Sequence, residues 1–284
     1  MQAAFIALQH LLPQHLLSRL MGWLAECRWR WLKNLWISLW IKHFQVDMSE
    51  AESSDLDAYP NFNTFFTRAL KEGARPLADG SDALLCPADG AISQLGRIGN
   101  GRIFQAKGRD YSLVELLGGD RSLAHTFDDG HFATIYLSPR DYHRVHMPVT
   151  GTLRSMHYIP GKLFSVNATT AARVPSLFAR NERAVCIFEG DNGPFAMILV
   201  GAMIVAGIET VWDGQVAPPT RSVQVRHYPD QREIVLQRGE EMGRFKLGST
   251  VILLFGRDQI SWLESFQAGS PTRMGEALGQ ITSK

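Results

Sequence analysis

From Leu84 onward the chain is divided into short apolar runs, rich in β-branched and aromatic residues and bounded by Gly, Pro and Asp. HFATIYLS (131–138), AVCIFEG (184–190), FAMILVGAMIVAGI (195–208), SVQVRHY (222–228) and TVILLF (250–255) are of this kind. Branched and aromatic side chains suit a pleated, half-buried surface, so these runs predict strands and a β-rich body. Residues 4–45 read instead as helices, broken near Pro13 and Gly22. An acidic connector follows over 46–60, then a short helix over 63–71 capped by Asn63 or Thr64. Helical elements are expected again around 161–180 and near the C-terminus. The fold expected is α+β, with a helical arm at 1–46 and a catalytic domain at 47–284.

With 284 residues, 45% apolar and 20% charged, the chain can bury the core of one large domain or two modest ones. A net charge of +1 and the lack of a dominant basic stripe give no reason to expect a nucleic-acid partner. Cys27, Cys86 and Cys186 are odd in number and widely spaced, which argues against a disulfide framework and a structural zinc site, so no metal is expected. The arm stands apart. Five of the seven tryptophans (Trp23, Trp29, Trp31, Trp36 and Trp40) lie in it, and residues 1–46 carry five basic side chains against one acidic, a net +4. No stretch offers the roughly 20 apolar residues of a spanning helix, and a secretory signal is not expected. Tryptophan favours the headgroup level and Lys/Arg are drawn to anionic lipid, so the arm is expected to lie on the membrane without crossing it. The plainer alternatives are an arm packed on its own catalytic domain, or a dimer contact.

Three places carry reactive groups. Leu247-Gly248-Ser249-Thr250 precedes the apolar run 250–255, DYHRVHMP (141–148) holds His143 and His146, and Pro87-Ala88-Asp89-Gly90 puts a carboxylate in a turn. A Gly-Ser step alone is most simply a tight turn. Together, Ser, His and Asp are the parts of an activated nucleophile, in which one group attacks, one takes its proton and one orients the base. Spacing along the chain does not show that the three meet.

These residues stand in recognisable blocks. Leu247–Thr250 resembles the LGST processing motif of the bacterial, pyruvoyl-dependent phosphatidylserine decarboxylase family. FFTRALKEGARPL (65–77), CPADG (86–90), LSPRDYHRVHMP (137–148), PGKLFSVN (160–167) and VGAMIVAGIETVW (200–212) are similar to that family's other blocks, in its order. Departures fall at Met203 and at AGI (206–208), away from the reactive groups.

The resemblance implies a carboxy-lyase made as a zymogen. Asp89, His146 and Ser249 would form the self-cleavage triad, the scissile bond would be Gly248–Ser249, and His143 would serve the decarboxylation. In that chemistry Ser249 Oγ attacks the Gly248 carbonyl, His146 takes the hydroxyl proton, and Asp89 holds the imidazole. The ester so formed loses the serine α-proton and eliminates the upstream carboxylate. Hydrolysis of the resulting dehydroalanine releases ammonia and leaves a pyruvoyl group, which forms a Schiff base with phosphatidylserine and releases CO2 to give phosphatidylethanolamine. The large chain would be 1–248 and the small chain 249–284, paired as a heterodimer, with homo-oligomerisation left open. Leu163 and Phe164 are expected to enter or cover the lipid, and the expected location is the cytoplasmic side of the cell membrane, held peripherally. The rival readings are a serine hydrolase that keeps Ser249, against which stands the lack of a GxSxG elbow, a non-catalytic membrane-binding module, and a pyruvoyl decarboxylase of a soluble amino acid.

Overall fold

The computed structural model describes residues 2–282 apart from 204–206, 218–221, 230–232 and 247–248. For residues 2–5, 11, 217 and 249 it describes the backbone alone. Leu247 and Gly248 of the processing motif, and Ala206 of the AGI departure, therefore lie outside the described residues.

Helices Gln2–Leu11, Gln14–Ala25 and Arg30–Phe44 form the arm. The first break falls at Pro13, as expected, but Gly22 lies inside the second helix and the second break comes at 26–29. A mid-helix glycine costs only about 1 kcal/mol relative to alanine, which neighbouring turns can absorb. Among the described residues no helix is long and apolar enough to cross a membrane. The third helix is docked by stacking: Trp36 lies 4.2 Å from Phe62 at 15°, and Trp40 lies edge-on to Phe62 and Phe66. Those phenylalanines come from the short helix Phe62–Phe66, whose cap is Asn61, with Oδ1 accepting from the Thr64 amide at 2.9 Å.

The body is β-rich, in accord with the α+β expectation. Its largest sheet has nine strands among the described residues. Five consecutive ones carry the site: Arg183–Gly190, Gly193–Gly201, Ser249–Phe255, His131–Leu137 and Gly90–Arg97. The run Val251–Leu254 in the middle strand is fully buried, with a paired strand on each side. Large aliphatic side chains so placed contribute about 1.5–3 kcal/mol each. A second sheet holds Arg144–His146, Glu241–Lys246, Gly207–Thr210 and Gly214–Ala217.

The apolar run 195–208 is therefore not one strand. It ends at Gly201 in the large sheet and resumes at Gly207 in the smaller one. Glu241–Lys246 likewise lies in the smaller sheet and Ser249–Phe255 in the large one. Near the C-terminus there are strands, Pro271–Thr272 and Ala277–Ile281, where helix was expected. In 161–180 the helices are short, Ala168–Ala171 and Leu177–Arg180.

Candidate active site

Sheet register brings the expected residues to one end of the molecule. Ser249 opens its strand opposite Leu137 on one side and Gly201 on the other. One row inward, Tyr136 pairs with Ala91, so Asp89 emerges at the same sheet end, about 10 Å from the Ser249 backbone at two strand spacings. Gly90 makes that turn possible. Its φ is +154°, and a Cβ there would sit 2.2 Å from the Tyr136 carbonyl oxygen. Directly after Leu137 the chain enters the loop carrying His143, pinned where the Ser138 amide donates to Asp141 Oδ2 at 2.6 Å, and His146 ends the short strand that follows.

His143 is fully buried, with its ring 4.0 Å from that of Phe66. Its Nδ1 lies 2.8 Å from the Asp141 carbonyl oxygen. A carbonyl can only accept, so Nδ1 carries the proton and Nε2 is a bare lone pair. That Nε2 is buried and, among the described residues, has no partner. Burial pushes the imidazole pKa down to about 3, so the ring is neutral at any physiological pH.

His146 has the same tautomer. Nδ1–H donates to the Gly239 carbonyl at 2.8 Å, and Nε2 accepts from the Tyr142 hydroxyl at 3.0 Å. Burial lowers this imidazole pKa too, and it outweighs the opposing hydrogen bond to Gly239 and the field of Glu241.

Asp89 and His146 are neighbours through the backbone, because the His146 amide donates to Pro87 O at 2.8 Å. Their side chains turn to other partners. Arg75 grips the Asp89 carboxylate from Nε (2.9 Å to Oδ1) and from Nη2, and the Met274 amide donates to Oδ1 at 2.8 Å. Arg75 is shared with Glu50 at 2.8 Å. No Asp89–His146 hydrogen bond exists in this conformation; the field of Asp89 is only a minor influence on the imidazole. The Ser249 side chain and the whole of Gly248 lie outside the described residues, so no distance ties the nucleophile to its base.

Leu163 and Phe164 are buried, at 3% and 1% exposure. Phe164 belongs to the core beneath the large sheet and meets His10 edge-on at 4.8 Å. Leu163 is close enough to Gly201, the neighbour of Ser249, that a Cβ there would meet its Cδ2 at 3.4 Å. The arm clamps this loop by its backbone: Gln14 Oε1 accepts from the Leu163 amide and Gln9 Oε1 from the Ser165 amide, both at 2.8 Å.

The sequence reading did not single out Tyr142, Arg75 or the Gly239 carbonyl. The first two lie within blocks already quoted, so the signal was present as polar residues inside motif segments. A backbone carbonyl carries no such signal.

For a ketone at position 249 acting on an amine, the surroundings need a buried donor and a buried acceptor. The Thr250 hydroxyl, next in sequence to position 249, and His143 Nε2 are buried and, among the described residues, without partners, a donor and an acceptor of the kind a pyruvoyl group would call for. Among the described residues no cluster of His, Cys, Asp or Glu could hold a metal ion.

A family model described as phosphatidylserine decarboxylase matches residues 62–280, and a second, described as PSD, matches 4–45. The chain is 62% identical over 277 residues to a phosphatidylserine decarboxylase proenzyme of Pseudomonas fluorescens, covering 97% of this chain and 96% of the relative. It is 63% identical over 276 residues to the proenzyme of the same description from Pseudomonas entomophila, covering 96% of each.

Proposed function

The chain belongs to the phosphatidylserine decarboxylase family, and on that footing we propose that it removes CO2 from phosphatidylserine to leave phosphatidylethanolamine, after cutting itself at Gly248–Ser249. The observation that carries the reading is the convergence of the Asp89 turn and the segment holding His143 and His146 on the sheet end where the Ser249 strand begins.

In self-cleavage, Ser249 Oγ adds to the Gly248 carbonyl carbon as its proton passes to His146. The imidazole is suited to this because burial keeps it neutral and Gly239 fixes its Nδ1 proton, leaving Nε2 as the base. Tyr142 engages that lone pair, and must yield it or relay the proton. Asp89 supplies negative charge to the imidazolium that forms, and Arg75 sets where that charge sits. Cleavage at Gly248–Ser249 leaves a 36-residue piece, 249–284, whose first strand stays paired on both sides.

A pyruvoyl group derived from Ser249 would supply the electron sink for loss of CO2. His143 rests as a neutral acceptor in the adjoining loop, and its bare Nε2 can accept a hydrogen bond from the incoming amine and so orient it. The arm serves a lipid substrate. Trp23, Trp29 and Trp31 are 75%, 68% and 67% exposed, and such side chains partition to the headgroup level, holding the enzyme peripherally on the membrane. Trp36 and Trp40 instead fasten the arm to the body.

The intact mass of the purified protein tests the proposal. Two pieces are expected, the smaller beginning at residue 249 and lacking the serine nitrogen. A single uncut 31.7 kDa chain that still turns over phosphatidylserine sinks it.

A further inference from the structure

Arg68 lies just beyond the helix Phe62–Phe66, in the block FFTRALKEGARPL, and nothing in the self-cleavage chemistry uses it. It is only 4% exposed. Among the described residues its guanidinium makes one hydrogen bond, from Nη2 to the Arg140 carbonyl at 3.1 Å, and it passes over the Phe65 ring at 5.5 Å. Nε is buried without a partner, and among the described residues no carboxylate lies within ion-pair reach. Buried charges are ordinarily paired or committed to a ligand.

Arg68 lines a polar cavity of about 390 Å³ between the arm and the smaller sheet. Three other cations line it, and each is engaged. Arg144 and Arg244 both bind Glu241, at 3.0 and 2.7 Å, and Lys246 binds Glu209 at 2.6 Å. Arg68 is the cation left over. A second orphan lines the same cavity, the buried Asn63 Oδ1, a bare acceptor. From the arm, Glu26 reaches in and is held by the Asn61 and Asn63 amides at 2.6 and 2.7 Å. Glu26 lies in sequence between the exposed Trp23 and Trp29, so the cavity is lined in part by the arm that carries those rings. Lys246 precedes Ser249 by three residues, at most about 11 Å of extended chain. The Arg140 carbonyl that accepts from Arg68 belongs to the loop carrying His143.

A guanidinium presents a planar fork of donors that matches phosphate oxygens. We propose that this cavity receives the phosphodiester of the lipid headgroup, with Arg68 as its anion ligand, so that the serine end reaches the start of the Ser249 strand. The inference rests on the decarboxylase reading. Glu26 is the group the phosphodiester displaces from the mouth as the arm settles on lipid.

The test uses the full self-processed enzyme, with Arg68→Gln and Arg68→Lys. Phosphatidylserine in mixed micelles is the substrate. The competitors are glycerophosphoethanolamine (a phosphodiester without acyl chains), inorganic phosphate, and O-methylserine, which has the amine and carboxylate but no phosphate. Arg68→Gln is expected to self-cleave, to raise KM about tenfold with much less change in kcat, and to weaken glycerophosphoethanolamine inhibition about tenfold while O-methylserine inhibits as before. Arg68→Lys should restore part of both losses, because a point charge remains but the fork does not. Equal weakening against both serine-type and phosphate competitors, or an unchanged KM, overturns the proposal. Inhibition by inorganic phosphate stronger than by the diester, and lost with Arg68, reassigns the site to free phosphate and overturns its lipid role. If Arg68→Gln does not fold, the same ratios measured on Arg68→Lys decide the matter. A wild-type enzyme with no decarboxylase activity at all would instead strike the underlying reading.

Discussion

The Arg75–Asp89 pair can be dissected with a double-mutant cycle that separates holding the fold from performing the cleavage. Both side chains are nearly buried, at 8% and 10% exposure. Removing one member of such a pair leaves the other uncompensated, at a cost of about 3–5 kcal/mol in general. The two sides differ here. Arg75→Gln leaves the Asp89 carboxylate with the Met274 amide alone, so the full range applies and about 3 kcal/mol is expected. Asp89→Asn leaves Arg75 still bound to Glu50, so about 1–2 kcal/mol is expected. The double variant buries no uncompensated carboxylate, and should fall short of the sum by about 2 kcal/mol.

Thermal unfolding should be read on chains that also carry Ser249→Ala, so that one uncut polypeptide melts. At about 2 °C per kcal/mol for a chain of this size, Arg75→Gln lowers Tm by roughly 6 °C and the double variant by roughly 4–6 °C. Self-cleavage is then followed with Ser249 intact, by the appearance of the 36-residue piece. Asp89→Asn should cut the rate by about 10³-fold or more, on the pattern of hydrolase triads that lose their carboxylate. Arg75→Gln should slow it about tenfold, because the charge remains but is no longer fixed. The double variant should regain stability and stay uncleaved. Additivity of the two stability losses within about 0.5 kcal/mol would refute the pairing argument, and cleavage restored in the double variant would refute the role given to Asp89.

Three further outcomes follow from named contacts. His143 titrates near 3 because it is buried, whereas the unfolded chain protonates it near 6.5; this stability is complete above pH 6.5 and is lost as pH falls toward 3, at up to about 1.4 kcal/mol per unit. Comparing Tm at pH 7.5 and 5.5 should show a smaller drop in His143→Gln than in the parent, and equal drops would contradict the assignment. Replacing Trp23, Trp29 and Trp31 together by Ser should weaken cosedimentation with anionic vesicles about tenfold or more while self-cleavage proceeds, and undiminished sedimentation would remove the arm's membrane role. Gly90→Ala should destabilise by about 2 kcal/mol or more, since the new Cβ meets the Tyr136 carbonyl; a wild-type Tm and cleavage rate would mean that the turn has slack it does not display.

What could be read from the sequence, and what could not, divides by the range of the interaction. Strand runs are legible because a side-chain pattern over six or seven residues already selects a pleated surface, and 131–137 and 249–255 obey it. The run 195–208 is equally apolar throughout, yet it changes sheets after Gly201, because pairing partners and not hydrophobicity decide where a strand stops. The five arm tryptophans are alike in composition. Only the positions of Phe62 and Phe66 separate Trp36 and Trp40, which dock, from Trp23, Trp29 and Trp31, which face outward. The candidate site follows the same rule. The histidines announced themselves because they stand three residues apart in one block, and register with Ser249 followed from the strands. Partner choice did not. A carboxylate at 89 can serve an imidazole or a guanidinium, and Arg75 holds it through a fork and a shared Glu50. The imidazole at 146 then takes its orientation from a backbone oxygen that any residue at 239 would possess. Motif residues thus identify the chemistry, while the groups that aim them are other positions in the same blocks and backbone atoms that carry no sequence signal. That is why Arg75 and Arg68, polar residues in one block outside the triad, are the positions where substitution should separate folding, cleavage and headgroup binding from one another.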